Sequence, residues 1–277
     1  PYPDPGRVPL VVQTHGRLKH PVSSAVSLVD RLVTRPALRR AAHGITHTDA
    51  EQSWLQEYGM PADRLTTVPP AVTDSPVRWS PTTDGKPKRL LFASRLHPRK
   101  QVMVFAQTVA RLRRQGHTVE GIVAGPDQGD LPMLQEFIRR DDHATFLTYL
   151  GELNRRQLTA QLVNATAFVF PARAEPFGLV LLDALSVGTP VVTTNETPLA
   201  TRLSAADAAV VSSPALGPLT TAVGRLLADE ERQQLISGNG RELYVQEWTT
   251  AAMIGPLTDL YKETVVRSRP LTRSLTR

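Results

Sequence analysis

The stretch Phe168-Val-Phe-Pro-Ala-Arg-Ala-Glu-Pro-Phe-Gly-Leu-Val-Leu-Leu-Asp-Ala-Leu-Ser-Val-Gly-Thr-Pro-Val-Val192 decides how the chain folds. It reads as a buried strand, a sharp turn, an apolar helix and a second buried strand. Glu175 sits in the turn, Asp183 in the helix, and Gly178 where the helix begins. The first N–H groups of a helix lack intrahelical partners, and the helix dipole adds positive potential there, so a helix start attracts anions. Two acids beside such a start can take sugar hydroxyls while the amides take phosphate. The combination points to a nucleotide-sugar pocket.

The same strand–helix rhythm runs outward from this segment. Strand Arg89–Ser94 precedes helix Gln101–Gln115, and strand Val119–Ala124 precedes helix Leu131–Arg140. Strand Phe146–Leu150 precedes helix Arg156–Asn164, and strand Ala167–Phe170 precedes helix Leu179–Val187. Strand Pro190–Thr194 and strand Ala208–Val211 follow, then helices near Leu216–Ala228, Glu230–Gln246 and Thr250–Val266. Such alternation predicts an α/β fold with a parallel sheet covered on both faces. Before it, Val8–Thr14 and Leu65–Val68 read as strands, Gly44–Thr48 as a third, and Ala50–Tyr58 as a helix capped by Asp49. Ser23–Ala42 has helical spacing that Pro36 must break or kink. Residues 74–88 are rich in Pro, Thr, Ser, Asp and Gly, the composition of a linker between two domains.

Composition narrows the classes. The chain has 277 residues, 41% of them apolar and 21% charged, as in a globular protein. It has no cysteine, which excludes disulfides and thiolate chemistry and fits a reducing, cytoplasmic setting. No apolar run approaches the roughly 20 residues that cross a bilayer. The opening Pro-Tyr-Pro-Asp-Pro-Gly has no Met, and an N-terminal portion is expected to precede it. The 32 basic and 26 acidic residues give +6, a balance that favours anionic partners. Nothing resembles a nucleic-acid module. Basic clusters at Arg31–Arg40 and Arg267–Arg277 read as solvated surface.

Ligands in such folds sit at the carboxyl ends of the strands, which selects the loops to weigh. Ser94-Arg-Leu-His-Pro-Arg-Lys-Gln101 gathers Arg95, Arg99 and Lys100 at one strand end, suited to a diphosphate or, equally, to a solvated turn. Gly125 lies in a glycine-rich turn, and Gly151 ends Tyr149-Leu-Gly151, where backbone can approach a flat base. Gly178 with Phe177 and Leu179 would offer backbone amides. Asp183, on a helix of Leu, Val and Ala, needs partners if buried. His15 ends Gln13-Thr-His-Gly16 at a strand end of the other domain. His43 and His47 flank Gly44-Ile-Thr, a strand rather than the helix a zinc pair would use, and no metal site is expected. No dinucleotide glycine fingerprint follows a strand, and no phosphate loop or nucleophile elbow is present.

Together these segments resemble the retaining nucleotide-sugar glycosyltransferases of family 4, which have the GT-B fold. Glu175-Pro-Phe-Gly-Leu-Val-Leu-Leu-Asp183 looks like their acid–seven–acid motif, with Gly188-Thr-Pro-Val-Val192 continuing it. Ser94–Lys100 is similar to their donor-diphosphate loop, and Val11–Gly16 to the strand that bears a sugar-contacting histidine. Leu65–Val72 resembles the segment before the linker. The resemblance implies a partial N-terminal Rossmann-like, acceptor-side domain over 1–73 and a complete C-terminal Rossmann-like, donor-binding domain over 89–246. A helix at 247–266 would cross back to the first domain, and 267–277 would be a disordered basic tail.

By the same resemblance, Arg95 and Lys100 would neutralise the departing diphosphate. Glu175 and His15 would lie at the transferred sugar, and Asp183 would hold the ribose. Ser94, Gly125, Gly151, Phe177, Gly178 and Leu179 would complete the donor site. The donor would be a nucleotide-diphosphate sugar, used without metal or other cofactor, and the acceptor is not specified. Some members rest on membranes through basic surface, a role open to Arg31, Arg35, Arg39 and Arg40, with Pro36 against a clean amphipathic helix. The sequence departs from the pattern at Asp183, where Glu is usual, at Ser94, Gln101 and Pro70-Ala71, and through Asn195–Arg202. A degenerate binding or partner subunit, or a nucleotide-sugar epimerase of the same fold, fits the same residues.

Overall fold

The computed structural model describes residues 8–15, 28–81, 86–140 and 142–268. Gly16, residues 23–27, part of the 74–88 stretch and most of the basic tail lie outside them. The chain divides into two compact units. The smaller takes the described residues up to Pro70 together with those from Ala251 onward, and the larger runs from Ala71 to Thr250.

The larger unit carries six parallel strands: β4 Lys88–Ala93, β5 Val119–Ala124, β6 Leu147–Tyr149, β7 Ala167–Phe170, β8 Val191–Thr194 and β9 Val210–Ser212. Their order across the sheet is β6-β5-β4-β7-β8-β9. The first three strands are laid down in one direction and the next three in the other, so the order reverses between β4 and β7. In a doubly wound sheet the connections on either side of that point diverge and leave a crevice at the strands' carboxyl ends. The β4/β7 pairing, Leu90 with Ala167 and Leu91 with Phe168, fixes which two loops border it.

Strand alternation builds two cores. Leu90, Phe92, Val123 and Val169 face one side, against Phe105 and Val109 of helix Val102–Arg114 and Val223 of helix Leu216–Leu227. Leu91, Ala93, Phe168 and Phe170 face the other, against Leu181 and Leu185 of helix Leu179–Val187 and Tyr244 of helix Glu230–Glu247. The stretch read as a linker is anchored on this unit. Trp79 is buried, its indole N–H donates to the Ala165 carbonyl at 2.7 Å, and its backbone N–H donates to Val187 at 2.7 Å. The turn-rich composition around it concealed a large aromatic with a pocket to fill.

Local readings shift by a residue or two where caps take over. Helix Arg155–Val163 starts at an Asn154 cap whose side chain and that of Gln157 satisfy each other's backbone N–H groups. Gln101 does not open its helix. It sits at φ 55° after a 3-10 turn, Pro98–Lys100, and the helix begins at Val102. The strand expected at Ala208–Val211 forms two residues later.

The smaller unit has three parallel strands in the order β1 Val11–Gln13, β2 His43–Thr46 and β3 Leu65–Thr67. Pro36 does not break the segment before β2. A π-helical turn, Asp30–Thr34, runs directly into helix Arg35–Arg40, and Pro36 falls in the first turn of that helix. Helix Thr250–Ser268 tolerates Pro256 and sets Leu260, with Met253 and Leu257, against Ile45 and Val68. Arg35 lies over the Tyr58 ring at 5.2 Å and Arg39 along Gly59, so two of the cations considered for a membrane surface are used within this unit. Among the described residues, no helix is long and apolar enough to cross a membrane.

Candidate functional site

A cavity of about 330 Å³ opens at the strand-order reversal of the larger unit. The loop after β4 supplies Ser94 and Arg95 to its lining, and the loop after β5 supplies Gly125. Helix Leu179–Val187 supplies Leu179, Val180 and Asp183. Five expected donor-site residues thus meet in one place: Ser94, Arg95, Gly125, Leu179 and Asp183. Glu152, Leu153 and Leu158, after β6, also line it.

Backbone geometry explains two of the glycines. Gly125 has φ 132°, and a Cβ there would stand 1.9 Å from the Ser94 carbonyl oxygen, so only glycine lets the loops after β4 and β5 touch. Its N–H donates to Gly151 at 2.8 Å, and its carbonyl accepts from the Tyr149 hydroxyl at 2.8 Å, tying in the loop after β6. Gly178 caps helix Leu179–Val187 at φ 91°, a conformation other residues rarely take. With no capping side chain, this helix start presents its amides beside Leu179, whose side chain is exposed.

Lys100 and Glu175 stand outside the cavity's lining. They were assigned separately to phosphate and sugar, but the structure joins them. The ammonium donates to Glu175 Oε2 and lies 5.1 Å over the Phe170 ring, and both side chains are less than a tenth exposed. The sequence could not reveal the pairing, because 75 residues separate the partners and β4 and β7 bring them together. The Glu175 carboxylate in turn places Lys100 beside the Gly178 turn, since Glu175 Cγ lies 3.6 Å from the position of a Gly178 Cβ. Phe177 and Gly151 do not line the cavity, though the Gly151 carbonyl accepts from the Gly125 N–H. His15 lies on the smaller unit. Arg95 extends outward to Gln128 at 3.1 Å and stays exposed.

Three contributors were missed. Arg155 Nη2 lies 3.7 Å from Asp183 Oδ1 and donates to the Thr73 carbonyl at 2.7 Å. Glu196 braces the acid turn: its carbonyl accepts from the Glu175 N–H at 3.3 Å, and its carboxylate accepts from Ala174 N–H at 3.3 Å. Ala174 itself is strained at φ 46°, so the turn that aims Glu175 is held from outside. Gln101 is the third. With its carboxamide turned, it donates to Pro171 and accepts from Arg173 Nε at 3.1 Å, linking the two loops that flank the reversal. Glu196 left a signal in its place just after strand β8, and Gln101 in its departure from the family pattern at the end of the basic loop.

Burial pushes the Asp183 carboxyl above the ordinary 3.8, partly offset by the Arg155 guanidinium. Among the described residues, no group of three or more His, Asp or Glu side chains is arranged to hold a metal ion.

The two parallel-sheet units with this strand order have the fold of GT-B glycosyltransferases. Solved structures match it across most of the chain, two of them as follows. Sucrose-phosphate synthase from Thermosynechococcus elongatus has a TM-score of 0.77 at 18% identity, covering 93% of this chain and 68% of that one. The Anabaena protein HepE in complex with UDP and glucose has a TM-score of 0.77 at 19% identity, covering 92% and 72%. Residues 75–243 match the family described as Glycosyl transferases group 1, and residues 4–71 match a Glycosyl transferase 4-like domain. The chain belongs to the glycosyl transferases group 1 family and is a glycosyltransferase by that membership. The alpha-D-kanosaminyltransferase of Streptomyces kanamyceticus is 24% identical over 275 residues, covering 92% of this chain and 71% of the relative. The D-inositol 3-phosphate glycosyltransferase of Paenarthrobacter aurescens strain TC1 is 32% identical over 199 residues, covering 64% and 49%.

Two predictions follow from the charges. Removing one partner of a buried pair strands the other. Lys100→Met should therefore cost about 3 kcal/mol in urea unfolding of the larger unit, and Lys100→Met/Glu175→Gln should cost clearly less. Equal losses would contradict the pairing. For Asp183, a raised folded-state pKa means the folded protein binds the proton more tightly. Its stabilising share is full below 3.8 and is lost as pH rises through the folded value. Asp183→Asn should gain stability over the wild type at about pH 7, and the gain should vanish at about pH 3.

Proposed function

We propose that this protein binds a nucleotide-diphosphate sugar in the 330 Å³ cavity and transfers its sugar, with retention of anomeric configuration, to an acceptor hydroxyl. The observation that carries the reading is the convergence of Arg95, the start of helix Leu179–Val187 and Asp183 on that single cavity. The solved HepE complex with UDP and glucose, on the same fold, supports the choice of donor class.

The chemistry follows from charge. The bond between the anomeric carbon and a diphosphate oxygen breaks, and the oxygen keeps the electron pair. Arg95 and the helix-start amides stabilise that growing negative charge. The Asp183 side chain accepts hydrogen bonds from ribose hydroxyls. Lys100 acts through Glu175: its ammonium fixes the carboxylate at the turn that faces the sugar, and its remaining N–H groups point cationic charge at the same corner. The acceptor oxygen forms the new bond, and its proton leaves with the departing phosphate. The role of His15 toward the sugar rests on the resemblance of its strand. Arrangement in a reducing, cytoplasmic setting belongs to the same proposal.

Thermal-shift titration tests it. UDP, GDP or ADP should raise the unfolding temperature of the wild type by mass action. Arg95→Ala should weaken the effective diphosphate about tenfold and leave the matching nucleoside unchanged, whereas Asp183→Asn should weaken both about tenfold, roughly 1.4 kcal/mol. Identical affinity in Arg95→Ala would remove the diphosphate assignment.

A further inference from the structure

The turn that carries Glu175 takes its shape from its neighbours. Each residue from Pro171 to Glu175 bonds to the loop after β4 or to the loop after β8. The Pro171 carbonyl accepts from the turned Gln101 carboxamide at 2.8 Å, and the Ala172 carbonyl accepts from the Thr194 hydroxyl. The Arg173 N–H donates to the Arg99 carbonyl at 2.7 Å. The Ala174 N–H donates to the Glu196 carboxylate and the Glu175 N–H to the Glu196 carbonyl, each at 3.3 Å. A segment bonded at every residue to the loops on either side has little freedom of its own.

Gln101 is the unusual member of this network. It holds φ 55°, a conformation that glycine takes freely and a residue with a Cβ takes only under strain. Its carboxamide supplies what glycine would lack. The amide nitrogen donates to Pro171, and the amide oxygen accepts from Arg173 Nε at 3.1 Å, so one side chain holds the acid turn at two residues. Arg173 Nε also stands 3.9 Å from Glu196 Oε1, which places the guanidinium between the two flanking loops. On its other side Gln101 directly follows the 3-10 turn that carries Lys100, whose ammonium donates to Glu175. Gln101 therefore reaches Glu175 by two routes: along the turn through Arg173, and at the carboxylate through Lys100.

We infer that Gln101 is a positioning residue whose carboxamide staples the loop after β4 to the acid turn and so fixes where the Glu175 carboxylate stands. The inference rests on the proposed function only for what that carboxylate faces, the donor's sugar. The staple itself is a property of the free protein.

Amide hydrogen exchange reads the staple with no substrate present. In Gln101→Gly, which also relieves the backbone strain, the Ala174 and Glu175 amides should exchange about tenfold faster than in the wild type, while the Gly125 amide is unchanged and the unfolding midpoint is not lowered. Arg173→Met, at a half-exposed side chain, should speed the same two amides. Unchanged exchange at both amides in either variant would overturn the inference, as would a rise shared by Gly125. Kinetics add a functional readout. Gln101→Gly should lower kcat for sugar transfer about tenfold and leave nucleoside-diphosphate affinity within about twofold, and a wild-type kcat would overturn the positioning role. Arg173→Met should add little further loss in the Gln101→Gly background, and additive losses would overturn the coupling. Faster exchange at residues 174 and 175 in a protein that transfers no sugar would instead count against the proposed function alone.

Discussion

The reversal of strand order between β4 and β7 is the constraint on which the candidate site depends. It makes two loops that are far apart in the chain neighbours across a crevice. One loop brings cations, and the other brings an acid turn and a helix start. Neither is a ligand site by itself. A basic turn is usually solvated, and a helix start is a weak anion trap until a second group closes it. The sheet converts two ordinary features into one cavity.

The energetic cost of that convergence is visible in the polar groups around it. Lys100 and Glu175 are nearly out of solvent, and the ammonium also sits over Phe170. Such a pair contributes little net stability, since desolvation offsets most of the Coulomb attraction. What it contributes is position: the carboxylate cannot swing away without abandoning a buried cation. Asp183 shows the opposite balance. Its burial disfavours the charged form, and Arg155 at 3.7 Å offsets part of that.

Much of the fold was legible because hydrophobic periodicity is a local signal. The alternation from Arg89 onward, the paired glycines at Gly178 and Gly188, and the acid spacing from Glu175 to Asp183 needed no tertiary knowledge. Strand-end logic then selected the loops that form the cavity. What stayed hidden was every feature created by packing. Trp79 sits in a stretch whose composition reads as linker, yet it is buried, with its indole N–H bonded to the Ala165 carbonyl and its backbone N–H to the Val187 carbonyl. Arg155 follows a helix cap and carries no motif, and Lys100 found its partner only through the β4/β7 register.

The most direct test of the account is amide mapping of the larger unit as a nucleoside diphosphate is added. The account predicts shifts concentrated at residues 94–96, 124–126, 151–153 and 178–183, with the amides of Gly178, Leu179 and Val180 moving most. Saturable binding whose shifts fall elsewhere on the sheet, with those three amides unmoved, would contradict it.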